Sequence, residues 1–259
     1  MNAAGELVLK LALTPLLVGG ASLAGRRWGS AVSGWLIGIP FTSGPIAFFL
    51  ALSPGGRFAE DVAAGIMAGA ISQAAFCLGY AWTAQRAGSA GSLAGATLAL
   101  AASTAVLTAV ALPAAAVFVV IIVVIVVALF LMPASRGSAD ERVEYPAWDI
   151  PARMAVATAF VLALTSAAPL LGARPAGLIA PFPLYASVLA AFAHRALGRD
   201  AAVGLLRGLL LGLFAFASFF LAVATLLPQG ILLAFAAASA AALAVEAGTL
   251  VAGRRLGLA

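Results

Sequence analysis

The chain has 259 residues, of which 64% are hydrophobic and 9% charged, and its mean hydropathy is +1.14. A soluble domain carries about 25% charged residues, so water is excluded as the main solvent of this surface. The net charge of +5 would suit nucleic acid only if the basic residues shared one face. Here the arginines stand singly or in pairs at the ends of apolar segments, the placement of topogenic charge.

Apolar stretches of about 20 residues cross a bilayer. Nine are predicted, over 6–24, 31–52, 62–83, 92–111, 113–132, 150–171, 175–195, 201–227 and 229–252. The fold class is therefore all-α and polytopic. The first segment ends in Ala21-Ser22-Leu23-Ala24, small residues of the kind found at a cleavage site. Its leading region is not basic, because Glu6 precedes Lys10, so it is expected to be retained as a helix. Lys10 lies just inside this segment, where a charge costs roughly 2.5–3.5 kcal/mol. It acts either as a cationic gate for an anion or as a side chain snorkelling to headgroups.

The second segment contains Gly38-Ile39-Pro40-Phe41-Thr42-Ser43-Gly44-Pro45, and its prolines predict a break near mid-span. The third places Gln73 at its centre, as interhelical glue or as a ligand for substrate, and spaces Gly65 and Gly69 for close helix packing. It also carries Cys77, the only cysteine, so no disulfide or cysteine metal site forms within one chain. The fifth segment, Pro113 to Met132, is almost wholly Val, Ile, Ala, Leu and Phe, and reads as a lipid-exposed span. The loop from Pro133 to Asp149 is too short to be a domain. Arg153 opens the sixth segment as Lys10 opens the first. The seventh reads Ala180-Pro181-Phe182-Pro183-Leu184-Tyr185-Ala186-Ser187, a second proline break, and ends at His194, an interfacial polar tip. Arg207 and Glu246 lie inside the last two segments and are expected to form an ion pair, or a proton relay through Glu246.

The two halves are related. Residues 10–76 align without a gap to 153–219: Lys10 with Arg153, Gly29 with Gly172, Gly34 with Gly177, Pro40 with Pro183, Phe49 with Phe192, Gly65 with Gly208, Gly69 with Gly212 and Phe76 with Phe219. Chance gives a Gly–Gly match about once per 100 positions, and four fall here. Segments one to four match six to nine, and a displacement of five spans inverts the second copy. The expected organisation is a first four-helix repeat over 1–111, a linker helix and loop over 112–149, and an inverted four-helix repeat over 150–259. With the N-terminus outside, the inner side holds Arg26, Arg27, Arg86, Arg136, Arg142, Arg195, Arg199, Arg254 and Arg255, against Arg57 and Arg174 outside. That bias favours N-out and C-in.

Inverted repeats with paired broken helices mark transporter folds whose site lies at the repeat interface. Half-helix N-termini suit anions. The expected substrate site comprises Lys10, Pro40, Thr42, Ser43, Gln73, Arg153, Pro183, Tyr185 and Ser187, unless the prolines are plain packing kinks. No Walker A loop, dinucleotide fingerprint, HExxH or nucleophile elbow occurs. No enzyme, cofactor, metal or nucleic-acid role is expected.

The stretch Ala176-Gly177-Leu178-Ile179-Ala180-Pro181-Phe182-Pro183, with Arg153 placed before Gly177 at the same interval as Lys10 before Gly34, resembles the GlpM-like small bacterial membrane proteins. Those are four-helix units with an early basic residue in helix one and a Pro-x-Phe-Pro element opening helix two. The first half departs from that element. The resemblance implies a bacterial inner-membrane location, a link to exopolysaccharide production, and an origin as a fused antiparallel dimer. The expected function is a secondary transporter or translocase for a small anionic or lipid-linked substrate, with a homodimer as an allowed assembly. The alternative is a non-transporting assembly factor or scaffold for exopolysaccharide production.

Overall fold

The computed structural model describes residues 3–28, 40–52, 56–110, 112–134 and 148–255. All regular structure among them is helical: α1 (Ala3–Trp28), α2 (Ser43–Leu52), α3 (Gly56–Thr83), α4 (Ser89–Ala109), α5 (Ala114–Leu131), α6 (Asp149–Leu171), α7 (Ala173–Ile179), α8 (Leu184–Leu197), α9 (Arg199–Leu226) and α10 (Ile231–Arg255). A 3-10 turn, Leu227–Gln229, joins the last two. Eight stretches are long and apolar enough to cross a membrane, α7 and α8 counting together as one of them. The chain is thus an all-α, polytopic membrane protein. The remaining expected span, 31–52, is described only from Pro40, so its first half and Gly34 lie outside the described residues.

The centre of the molecule is α3 packed against α9. Their apolar residues recur three and four apart, which turns one continuous face of each helix inward. Val62, Ile66, Ala70, Cys77 and Tyr80 of α3 and Val203, Leu206, Leu210, Leu213, Ala217 and Phe220 of α9 are fully buried. Each central helix pairs with the helix that follows it, α3 with α4 and α9 with α10, while α1 packs on α6. The two halves therefore make corresponding contacts, as the 143-residue repeat requires.

Helices in lipid gain nothing from burying apolar surface against one another, so close packing and small residues decide where they meet. The crossing of α3 over α7 is made by three glycines. A Cβ on Gly177 would stand 2.6 Å from the Val62 carbonyl oxygen and 2.8 Å from the Gly65 Cα, and one on Gly69 would overlap the Pro181 ring. This bears out close packing as the role of Gly65 and Gly69, and it delivers the proline break of the second half to the middle of α3.

The linker helix α5 is exposed over most of its surface, with Phe130 86% and Val119 61% exposed. One stripe, Val117, Ile121, Ile125 and Ala128, is buried and seats the helix across α3 and α9. The carbonyls that end this helix lack intrahelical partners. They are taken by side chains: the Trp82 indole donates to Leu131 O at 3.1 Å, and Arg207 Nη2 donates to Pro133 O at 3.1 Å and Met132 O at 3.4 Å. Arg207, expected to face Glu246, thus spends Nη2 on these carbonyls. Arg207 is drawn to the terminal carbonyls of α5, whose partial negative charge attracts a cation. Arg207→Ala is expected to cost about 1–2 kcal/mol, read as a lowered Tm in detergent, without loss of fold.

Candidate functional site

The site forms where the two proline breaks meet. In the second half, α7 closes with Ala180 N–H donating to Ala176 O at 3.0 Å. Pro181 and Pro183 have no amide to continue the ladder. The chain turns through Phe182 N–H to Ile179 O and Leu184 N–H to Phe182 O, and α8 resumes with Ser187 N–H donating to Pro183 O. No side chain caps the start of α8. Its first-turn amides at Tyr185 and Ala186 therefore keep the orphan character of any helix start. In the first half, Phe41 and Thr42 form a turn after Pro40 and α2 begins at Ser43, with Gly44 N–H donating to Pro40 O at 2.8 Å. The two breaks are clamped together: the Ser43 hydroxyl donates to Ala180 O at 3.0 Å, 137 residues away.

Between them lies a cavity of about 50 Å³. Pro40, Thr42 and Ser43 line it from the first break, Pro181 to Ala186 from the second, and Gln73, Leu209, Leu213 and Phe216 from the central helices. Four of the lining pairs are equivalent positions of the repeat: Pro40 and Pro183, Thr42 and Tyr185, Ser43 and Ala186, Gln73 and Phe216. The cavity thus lies where the two repeats face each other. Its walls are chemically unequal. The first repeat contributes two hydroxyls and an amide; the second contributes a tyrosine, an alanine and a phenylalanine.

Gln73 is 8% exposed, and its Oε1 is buried without a hydrogen-bond partner. A buried orphan acceptor costs about 1–3 kcal/mol. Gln73 lines the cavity through the rest of its side chain, while Oε1 itself is enclosed by protein. Tyr185 joins the site to its surroundings. Its hydroxyl lies 3.3 Å from the Ser22 hydroxyl of α1, and the Arg153 guanidinium sits 4.6 Å from its ring centroid.

Pro40, Thr42, Ser43, Gln73, Pro183 and Tyr185 are brought together as expected. Ser187 is not: it stands one residue beyond the lining, and its hydroxyl donates to Leu184 O within its own first turn. A helix rotates about 100° per residue, so only part of the first turn faces the cavity. Lys10 and Arg153 also lie outside the lining, and neither is a bare cation. Lys10 Nζ is 2.7 Å from Glu6 and 5.4 Å from the Phe49 ring centroid, and Arg153 is 2.7 Å from Asp149. The physical reason is cost: a charge taken from water is retained when paired. Arg153 still reaches the site through Tyr185. Glu246 is completely buried in α10.

The two acids are functional neighbours that the basic residues alone did not reveal. Glu6 and Asp149 are themselves equivalent positions of the repeat, each four residues before its base. On a helix that spacing places acid and base side by side, so the signal was present. A second polar contact had no such signal. The Tyr80 hydroxyl donates to Ala190 O at 3.2 Å and lies 3.2 Å from His194 Nδ1, which ties the expected polar tip of α8 back to α3.

Beside the polar cavity, and sharing Pro40 with it, is a larger apolar one of about 360 Å³. It is walled by Leu13 and Leu17 of α1, Phe41, Gly44, Pro45 and Phe48 around the first break, Phe219 of α9, and Phe235, Ser239, Ala242 and Leu243 of α10. Ser239 and Leu243 are exposed, so it opens on the flank of the molecule, where a membrane protein meets lipid. Comparison of the chain with protein-family models, with curated proteins and with solved structures returns no match. The geometry carries the functional reading alone.

Proposed function

We propose that the protein is a membrane transporter or translocase for a small anionic or lipid-linked substrate, bound where the two repeats face each other. The observation that carries this reading is the cavity shared by both proline breaks. Equivalent positions of the two repeats line it, and two helices of ten and fourteen residues begin at its wall. The start of α8 presents the Tyr185 and Ala186 amides and a partial positive charge, which suits an oxyanion. In lipid such backbone is tolerated only where protein or a wet cavity covers it, and inverted-repeat transporters use that arrangement for binding. The paired Glu6–Lys10 and Asp149–Arg153 sites would then set potential and position, Arg153 through Tyr185, rather than act as free anion hooks.

In this reading the protein lies in a bacterial inner membrane, N-terminus outside and C-terminus cytoplasmic. Periplasmic and cytoplasmic reporters fused at each end test the orientation, and equal activity of both reporters at one terminus would overturn it. The function is tested with full-length protein in liposomes, by uptake and by binding of inorganic phosphate and other small anions. Gln73→Leu and Thr42→Val are expected to lower binding at least about tenfold, equivalent to 1.4 kcal/mol. Anion fluxes and affinities equal to those of protein-free liposomes would remove transport and leave a scaffold role.

A further inference from the structure

We infer that Tyr80 and His194 form the gate through which the polar cavity opens to water, at the end of the molecule where α8 finishes. The inference rests on the reading of that cavity as a transport site and adds the way into it.

The path follows from the course of two helices. Gln73 of α3 and Ala186 of α8 both line the cavity. The helices run from there toward the same end, where the Tyr80 hydroxyl donates to Ala190 O at 3.2 Å and lies 3.2 Å from His194 Nδ1. Tyr80 stands two turns past Gln73 on the same face of α3, about 10 Å from it. Tyr80 and Ala190 are fully buried, and the Tyr80 ring meets the His194 ring edge-on at 5.9 Å. The tyrosine thus plugs the seam, and its hydroxyl latches it. A second bond, from Arg195 Nε to Ser89 Oγ at 2.9 Å, holds the last turn of α8 to the start of α4. α8 itself is a rod between two bending points, the break at Pro181 and Pro183 before it and Gly198, at φ +90°, after it. Element ends of this kind absorb hinge motion, so the side bonds decide whether the rod swings.

The opposite end is closed by different chemistry. The repeat equivalent of His194 is Ala51, at the end of α2, and that of Tyr80 is Val223. Ala51 is sealed in an apolar cluster with Ala59, Leu227 and Ala234. Opening that seal would bare apolar surface to water, which the hydrophobic effect opposes. Opening at Tyr80 and His194 exchanges hydrogen bonds within the protein for bonds to water, and the net cost of that exchange is small. The His194 end is therefore the one that yields to water first. It also carries Arg86, Arg195 and Arg199, and is cytoplasmic in the proposed orientation.

The test uses the full-length chain with Cys77→Ala and Thr42→Cys, so that the single thiol lies at the cavity. Sealed vesicles of each orientation, assigned by the terminal reporters, are treated with a membrane-impermeant charged maleimide. Tyr80→Phe keeps the plug and removes the latch, and is expected to raise labelling from the cytoplasmic face about fivefold. His194→Leu should act alike, and Tyr80→Ala, which also removes the plug, should act more strongly. Val223→Ala truncates an equally buried side chain at the equivalent position, and is expected to leave labelling from both faces as in the parent. Unchanged cytoplasmic labelling in Tyr80→Phe and His194→Leu would overturn the gate. Equal gains from both faces, or a gain in Val223→Ala as large as in Tyr80→Phe, would do the same, because a loosened fold gives those results. The labelling needs no substrate, so the gate and the transport reading fail separately. Absent anion binding with the expected labelling would remove transport and leave a gated cavity, whereas anion uptake with unchanged labelling would remove the gate alone.

Discussion

Gly177→Val is expected to be the most damaging single substitution in the described part of the chain. The added Cβ would meet the Val62 carbonyl oxygen at 2.6 Å and the Gly65 Cα at 2.8 Å, both of them backbone atoms of α3. Backbone cannot swing aside as a flexible side chain does, so α7 must move away from α3 as a unit. Overpacking of this kind typically costs about 1–3 kcal/mol and occasionally more. Two opposing helix backbones put this site at or above the upper end. The displacement also carries Pro181 and Pro183 off α3, so the cavity against Gln73 opens. The expected result is a sharp fall in folded yield and in Tm in mild detergent, with any recovered protein losing anion binding. Gly177→Ala should show the same direction at smaller size. A valine variant with wild-type melting and binding would show that the crossing is looser than its atoms place it.

The second large effect is expected at the Asp149–Arg153 pair. Both side chains are buried, 3% and 8% exposed, and are joined at 2.7 Å between Arg153 Nη2 and Asp149 Oδ2 and 2.8 Å between Arg153 Nε and Asp149 Oδ1. Removing one partner leaves a charge with less compensation in a low-dielectric site, which costs about 3–5 kcal/mol. Asp149→Leu and Arg153→Met should each lower stability by that order. The double variant should cost less than either single one, because an apolar pair of similar volume is often neutral at such positions. A thermal or denaturant double-mutant cycle measures the coupling. Additive losses would mean that each residue is held by its other neighbours, Tyr185 above all. The equivalent pair Glu6–Lys10 is more open, at 21% and 12% exposure. Its removal should cost less than that of Asp149–Arg153, because water still reaches both of its members.

These expectations rest on features that differ in how visible they were in the sequence. Apolar runs about 20 residues long set the helices and the membrane, because hydrocarbon tolerates only backbone that satisfies itself. The four shared glycines and the matched prolines gave the repeat, and Pro40 with Pro183 gave the breaks. The acid–base spacing at Glu6 and Asp149 was equally plain once the repeat was aligned. All of these are local signals, fixed by residue type and by distance along one chain.

Tertiary structure decided what faces what. Tyr185 enters the cavity and Ser187 does not, because the rotation of α8 is fixed by its seat on α9 and α4 rather than by its own residues. Arg207 answers the carbonyls just past the end of α5, because the linker helix lies across α9 and presents those carbonyls there. Ser43 reaches Ala180 across 137 residues, and Gln73 is left with an acceptor that no neighbour fills. A helical pattern tells which face is apolar but not which distant face it meets. In a chain where nearly every face is apolar, hydrophobicity cannot choose among partners, and the choice falls to glycine contacts and a few polar atoms. The sequence by itself thus determined a membrane-embedded, twice-repeated helical chain broken at two places. The tertiary structure decided that the two breaks enclose one polar cavity with an apolar one beside it, through packing that no single segment encodes.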